Sequence, residues 1–461
     1  MEATVAALAS TGSKLRCVAL SGRPYRGTDL PEVSLVEGID YAEPASATQP
    51  REIVDRLEKS AEAALGGPPD VWHIHNHSLG KNPAFSETVH LLAERNHGML
   101  LHLHDFAEDG RPANYVALRD SLSDLSRLYP LGPKIRYAAL NHRDAGFLMQ
   151  AGLPEQQLHL LPNPIRPATE IKTSSEASDE LPADLALCPV RAVRRKNLGE
   201  LALLAAAHPD LTFANTLGPT NPAYGPAFQR WKDIAAHLQL PVRYAIAEET
   251  NLPFSSLVAG ASVLVTTSVA EGFGLAFLES WGQGKTITGR DLPEITSDFR
   301  QTGIDLAHLY DRLDLPAELI ETDTLRVHVQ DTLEDLYAAY GEPPPEDGVA
   351  RSLNAMVRND FIDFGRLDEP LQETLIRTIG SSPELAAEVR RQANLVSQSP
   401  ELVASNAGIV ASEYGISAYG QKLLSVYREI VNSDRGTLGH LDQCALLSSF
   451  LKPERLFLLR N

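Results

Sequence analysis

The sequence predicts an α/β protein of two doubly wound, Rossmann-like units facing each other across a cleft, with an added helical region near the carboxyl end. Three observations carry this reading. Apolar runs of strand length alternate with amphipathic segments of helix length through residues 14–165. The alternation stops in a polar, Ser/Thr/Glu-rich stretch at Arg166–Pro182 and then restarts. A chain of 461 residues also allows two or three domains at roughly 150 residues each. Hydrophobic residues at 43% and charged residues at 22% are ordinary for a globular chain, so disorder throughout is excluded.

In the first unit, Lys14–Leu20 (KLRCVAL) reads as a strand ending at the Gly22–Arg23–Pro24 turn. Arg51–Leu65 carries Ile53, Leu57, Ala61 and Ala64 at helical spacing and is closed by Gly66–Gly67–Pro68–Pro69. Asp70–His75 and Met99–His104 are strands flanking a helix at Ala84–Asn96. Lys134–Leu140 is the next strand, followed by a helix to Gln150 and a last strand at Leu158–Leu161. Strands separated by helices imply parallel pairing. The second unit repeats the plan, with strands at Leu185–Ala192, Leu211–Leu217, Val242–Ala247, Ser262–Thr267 and Thr286–Thr288. Its helices fall at Lys196–Ala207, Pro226–Leu238 and Gly274–Gly282. Beyond residue 300 the chain turns helical and acidic, broken by GEPPPED at Gly341–Asp347, and Ala418–Asn432 forms a final amphipathic helix. The expected domains are residues 1–165, a linker at 166–184, and 185–435 with a helical elaboration at 300–405; residues 436–461 form a tail.

The net charge of −19 argues against a nucleic-acid partner or stable membrane insertion at an anionic surface, since both call for an excess of Lys/Arg on one face. It leaves room for a local basic pocket. Cys17, Cys188 and Cys444 are far apart and form no C-x-x-C pair, which fits a reducing cytoplasm. No apolar run approaches the ~18 residues of a membrane span. The start, MEATVAALASTGSK, has Glu2 where a signal peptide needs positive charge and reads as a frayed leader.

The stretch that carries most chemistry is SVAEGFGLAFLES, Ser268–Ser280. It follows the apolar strand SVLVTT and leads into a helix. Gly272 and Gly274 let backbone amides approach a ligand closely. A helix starting near Gly274 would aim free N–H groups and partial positive charge at the same place, which suits a phosphate. Glu271 on the loop and Glu279 in the helix are placed to accept bonds from sugar or ribose hydroxyls. Upstream, CPVRAVRRKN puts Arg191, Arg194, Arg195 and Lys196 at a helix start, where cations oppose the dipole and call for an anion nearby.

These motifs resemble the GT-B glycosyltransferases of the retaining family 4 type. Their E-G-F-G-L-x-x-x-E signature within E-x7-E is matched by Glu271 to Glu279, and their Arg and Lys five apart by Arg191 and Lys196. Their D-x-x-H-x-H strand is matched by Asp70–His75, their H-D by His104–Asp105, and their Pro-Asn-Gly by Pro162–Asn163–Pro164. The amino-terminal loop reads SGRPYRG in place of a Gly-Gly turn, and the likeness is poor across 300–405. The resemblance implies that Glu271 with Gly272, Phe273, Gly274 and Leu275 binds the donor sugar, while Glu279 holds the ribose. It implies that Arg191 and Lys196 bind the diphosphate and that His104 contacts the donor sugar near its anomeric centre. It also implies retention of configuration by front-face departure and attack, with no metal and no cofactor beyond the nucleotide-sugar co-substrate.

The physical case stands beside the resemblance. As the anomeric C–O bond of a nucleotide sugar breaks, negative charge grows on the leaving diphosphate. A guanidinium fork and an ammonium aimed there favour the transition state over the ground state. The polar loop DFAEDGRP, Asp105–Pro112, follows a strand end, so Asp105, Glu108, Asp109 and Arg111 are candidate acceptor contacts. Arg23, Arg26 and Arg111 are candidates for binding an anionic acceptor.

Seven of the fourteen histidines lie between His73 and His104, and HIHNH and HLH place imidazoles on one face of their strands. One rival reading is a metal-dependent hydrolase built on these His-x-His pairs. Another is a GT-B protein that binds or epimerises a nucleotide sugar. The favoured expectation is a cytoplasmic hexosyltransferase using UDP-glucose first and GDP-mannose next, with a small soluble polar acceptor.

Overall fold

The computed structural model describes every residue except Thr28, Pro31, 42–48, 167–179 and Asn461. Most of the expected linker therefore lies outside the described residues. The chain divides into two compact units. The first comprises Met1–Arg166, Leu336–Glu342 and Ser412–Lys452, and the second takes the remainder.

In chain order the strands of the first unit are β1 (Ala19–Ser21), β2 (Val33–Leu35), β3 (Trp72–His75), β4 (Met99–Leu103), β5 (Pro130–Leu131), β6 (Ile135–Ala139) and β7 (Leu158–Leu160). Four of them form a parallel sheet in the order β3-β4-β6-β7, with His75 in register with His102 and His102 with Ala138. Every residue of β4 is buried, as a central parallel strand covered on both faces requires. The helices Pro50–Leu65, Pro83–Glu94 and His142–Gln150 agree with the sequence reading to within a residue or two. The first strand is shorter than expected: β1 keeps only Ala19–Ser21 and pairs with β2, which the sequence reading missed.

Three expectations fail at the chain's ends. Residues Glu2–Ser10 are a helix and not a frayed leader; Ala7 and Leu8 are buried with Leu100, Ala138, Leu161, Tyr419, Leu423, Val426 and Ile430. The helix Ile416–Val431 belongs to the first unit and not to the second, because its apolar stripe covers that unit's sheet. The expected tail also folds: Gln443–Phe450 is a helix with Leu446, Leu447 and Phe450 buried, and β16 (Gly439–His440) pairs antiparallel with β5. The two terminal helices meet backbone to backbone, since a Cβ added at Gly420 would lie 2.2 Å from the carbonyl oxygen of Ala7. Gly420→Val should therefore destabilise the first unit by at least about 1–3 kcal/mol in urea unfolding, as overpacking does.

The second unit holds β8 (Leu185–Arg191), β9 (Thr212–Leu217), β10 (Val242–Arg243), β11 (Val263–Thr266) and β12 (Ile287–Gly289), all parallel, in the order β10-β9-β8-β11-β12. The order reverses direction at β8, so the carboxyl ends of β8 and β11 form the switch point where such sheets bind ligands. The elaboration contains the helices Glu369–Gly380, Pro383–Gln392 and Pro400–Glu413 together with a small sheet of β13 (Asp314–Pro316), β14 (Val357–Arg358) and β15 (Phe361–Asp363). Among the described residues no helix is long and apolar enough to cross a membrane.

Candidate active site

At the carboxyl end of β8 the chain passes from Arg191 through a 3-10 turn, Arg194–Lys196, into the helix Leu198–Ala207. Two bonds from the neighbouring β11 loop pin this turn: Thr267 Oγ1 donates to Lys196 O at 2.7 Å, and Val269 N to Arg195 O at 2.9 Å. The same two loops meet through their side chains, because the ammonium of Lys196 donates to the carboxylate of Glu271. Their side chains keep only 15% and 10% of their exposure, so the pair is shielded enough for its charges to matter. Sequence reasoning chose both residues but did not foresee that they bind each other.

The helix after the Glu271 loop begins at Ala276, two residues later than expected, and spans Ala276–Gly282. Gly272, Phe273 and Gly274 therefore belong to the loop. Phe273 is buried edge-on to Phe299 and anchors it. Gly274 has φ +85, a conformation that favours glycine, and an added Cβ would crowd Phe277 and Ile295 at 3.0 and 3.1 Å. Leu275 is exposed, at 39% of its surface. Glu279 is also exposed by area, yet enough protein surrounds it that partial desolvation raises its carboxyl pKa. Arg191 is exposed and its Nη1 donates to Gly218 O at 3.1 Å.

Sequence reasoning missed what holds Lys196 in place. The next residue, Asn197, adopts φ 49 and caps the following helix, its Oδ1 accepting from Glu200 N. Asn197 Nδ2 donates to Glu200 Oε2 at 2.9 Å, and Gln372 Nε2 donates to Asn197 Oδ1 at 3.0 Å. Glu200 in turn accepts from Arg290 Nε at 2.8 Å and from Tyr310 Oη at 3.0 Å. The Arg290 guanidinium also donates to Asp363 Oδ1 at 2.9 Å. Arg290, Glu200 and Asp363 are all buried. Burial pushes the Glu200 carboxyl up, and Arg290 pulls against it. The elaboration thus supplies Asp363 and Gln372 to the loop that carries Lys196. A Gly-Arg-Asp run directly after an apolar strand, Gly289–Asp291, was the available signal.

In the first unit, His73, His75, His102 and His104 form one stacked ladder, with ring centroids 4.1–5.3 Å apart. Burial holds His73, His75 and His102 well below the ordinary imidazole pKa, and His104 at about 4, so all four are neutral near pH 7. His104 is half-buried and its Nε2 lies 2.8 Å from His75 Nδ1. Asn76, at φ 54, turns β3 into the next loop and accepts from the amides of His104 and Asp105 through its Oδ1.

The acceptor candidates fare unequally. Glu108 is fully buried, with Tyr129 Oη donating to it at 3.1 Å, so it is not a surface contact for a substrate. A polar residue in a polar loop reads as solvated, yet this one turns inward. Arg111 bonds Asp105 Oδ1 at 2.6 Å and the carbonyls of Phe106 and Asp109, so it closes its own loop. Arg23 pairs with Asp40 at 2.6 Å.

Burial raises the Glu108 carboxyl to about 7, which makes a pH prediction. The native state holds this proton after the unfolded chain has released it. The contribution is complete below the unfolded value near 4.5 and is lost as pH rises through about 7. Glu108→Gln should flatten the fall in first-unit stability between those pH values, measured by urea unfolding across the range.

No protein-family model matches the chain. The mannosylglucosyl-3-phosphoglycerate synthase of Petrotoga mobilis is 24% identical over 425 residues, covering 84% of this chain and 81% of that protein. A glycosyltransferase from Rickettsia africae ESF-5 superposes with a TM-score of 0.53 at 12% identity, over 93% of this chain and 94% of its own. HepE from Anabaena, solved with UDP and glucose, gives 0.49 at 12% identity over 93% and 95%. The fold is that of the GT-B glycosyltransferases.

Proposed function

We propose that this glycosyltransferase moves a hexose, with retention of anomeric configuration, from a nucleotide-diphosphate sugar to a small soluble acceptor bearing an acid group. The observation that carries the reading is the Lys196–Glu271 pair, formed at the carboxyl ends of the adjacent strands β8 and β11. Lys196 and Arg191 neutralise the departing diphosphate. That charge grows as the anomeric bond breaks, so the cations stabilise the transition state more than the bound donor. Glu271 and the amides of Gly272, Phe273 and Gly274 orient the hexose hydroxyls, and Glu279 takes the ribose. The pair holds the Glu271 carboxylate in place beside the loop amides until the diphosphate draws Lys196 toward itself.

UDP-glucose and GDP-mannose are the donors to test first. The relative's name, mannosylglucosyl-3-phosphoglycerate synthase, supports a phosphoglycerate-bearing acceptor and sets mannose beside glucose as donor hexose. The transfer needs no metal because the two basic side chains meet the phosphate charge, and the reaction suits the cytoplasm, where nucleotide sugars are made. The test is a thermal-shift screen against nucleotide sugars, followed by transfer assays on glycerate and sugar-phosphate acceptors with the anomer assigned by NMR. An inverted product, or no transfer from any nucleotide sugar, refutes the reading.

A further inference from the structure

We propose that His73, His75 and His102 form a binding site for a divalent transition metal of the zinc class, built into the first unit. The three rings share one face of the sheet, because His73 and His75 are two apart on β3 and His75 is in register with His102 on β4. One ring nitrogen from each lies within 4.8 Å of the other two. His73 Nε2 and His102 Nδ1 are 3.2 Å apart. Two nitrogens at about 2.0–2.1 Å from a tetrahedral zinc stand roughly 3.3 Å apart, so this spacing is that of adjacent ligands.

The outward side of each ring is equally informative. A metal-ligating histidine is oriented by a hydrogen bond from its other nitrogen. Here His73 Nδ1 meets Tyr427 Oη at 2.8 Å, His102 Nε2 meets Leu161 O at 3.2 Å, and His75 Nδ1 meets His104 Nε2 at 2.8 Å. All three supports are in place. A cavity of about 1140 Å3, lined in part by His73, His75 and Tyr427, reaches the cluster and provides an entry path. Three imidazoles select zinc, cobalt or nickel over magnesium and calcium, which prefer oxygen ligands.

The proton count closes. Leu161 O only accepts, so without metal His102 carries its proton on Nε2 and its Nδ1 accepts from His73 Nε2–H. His73 Nδ1 then accepts from Tyr427 Oη–H. Metal binding takes the place of the proton between His73 and His102. That proton moves to His73 Nδ1, where the Tyr427 oxygen accepts it. The rings stay neutral and no proton is released.

The experiment uses the full chain, stripped with a chelator and titrated with Zn2+ by calorimetry and with Co2+ by visible absorption. The expected result is one saturable site with the intense absorption of tetrahedral Co2+. His75→Ala, at the cavity wall, and His73→Gln should each weaken Zn2+ by more than 100-fold. Tyr427→Phe should weaken it about 10–100-fold through the lost support. His97→Ala, whose ring pairs with Glu58 outside the ladder, should change nothing. Because His102 is fully buried, its variant risks misfolding and is not the deciding one. The proposal is overturned by the absence of saturable Zn2+ binding, by a six-coordinate Co2+ spectrum, or by unchanged affinity in both His73→Gln and His75→Ala. Each of these outcomes is read from metal binding alone and not from sugar transfer, so the two readings fail separately.

Discussion

Lys196→Ala lowers kcat/KM for sugar transfer by about 10²–10³, the range seen when one preorganised charge-stabilising donor is removed from an active site. The fold survives, because the carbonyls of the turn that carries Lys196 are held by the Thr267 hydroxyl and the Val269 amide, which the substitution leaves intact. A charge pair about 4 Å apart at an effective dielectric near 20 interacts by roughly 4 kcal/mol before desolvation, so one ammonium aimed at a diphosphate is strong enough to produce this loss. Glu271→Gln also falls steeply, since it loses both the partner of Lys196 and a strong acceptor for the hexose hydroxyls. The two changes should be far from additive, because each single variant strands the other member of a shielded pair. Steady-state kinetics on both singles and the double, with circular dichroism as the folding control, measure this. Near wild-type turnover in either single variant would remove the basis for the proposed chemistry.

The second large effect is on stability. Arg290→Met should destabilise the second unit by about 3–5 kcal/mol, the usual cost of stripping the partner from buried charges. Glu200 and Asp363 would be left ionised and unpaired in the interior. The deficit should shrink as pH falls, because both carboxyls can then take up protons, and urea unfolding at acid and neutral pH would show it. Loss of the Arg290 clamp also frees Glu200, and through Asn197 the turn bearing Lys196, so kcat should fall while KM for the acceptor holds. A variant equally stable at both pH values would show that the three residues do not act as one network.

What the sequence made legible follows from range. The parallel strands, the helices between them and the Glu271 loop are local patterns: β4 is apolar at every position but His102, Pro50–Leu65 keeps a helical stripe, and Gly274 sits where the chain needs positive φ. The failures were non-local. The helix Glu2–Ser10 is Ala-rich and carries little stripe of its own; what buries it is the close approach allowed by Gly420, more than four hundred residues away. Glu108 read as an acceptor contact because neither Tyr129 nor the fold of its loop can be read from neighbours in sequence. Glu200, Arg290 and Asp363 are three distant charges whose meeting only the folded sheet and its elaboration bring about. Likewise Lys196 and Glu271 are 75 positions apart, and their ion pair emerges only because β8 and β11 are neighbours.

The most direct test of the central claim is a crystal structure with a non-transferable nucleotide-sugar analogue bound. The account predicts diphosphate density at Lys196 and Arg191, and hexose density against Glu271 and the amides of Gly272–Gly274. Density for the nucleotide at any other surface, with the Lys196–Glu271 pair undisturbed, would contradict it.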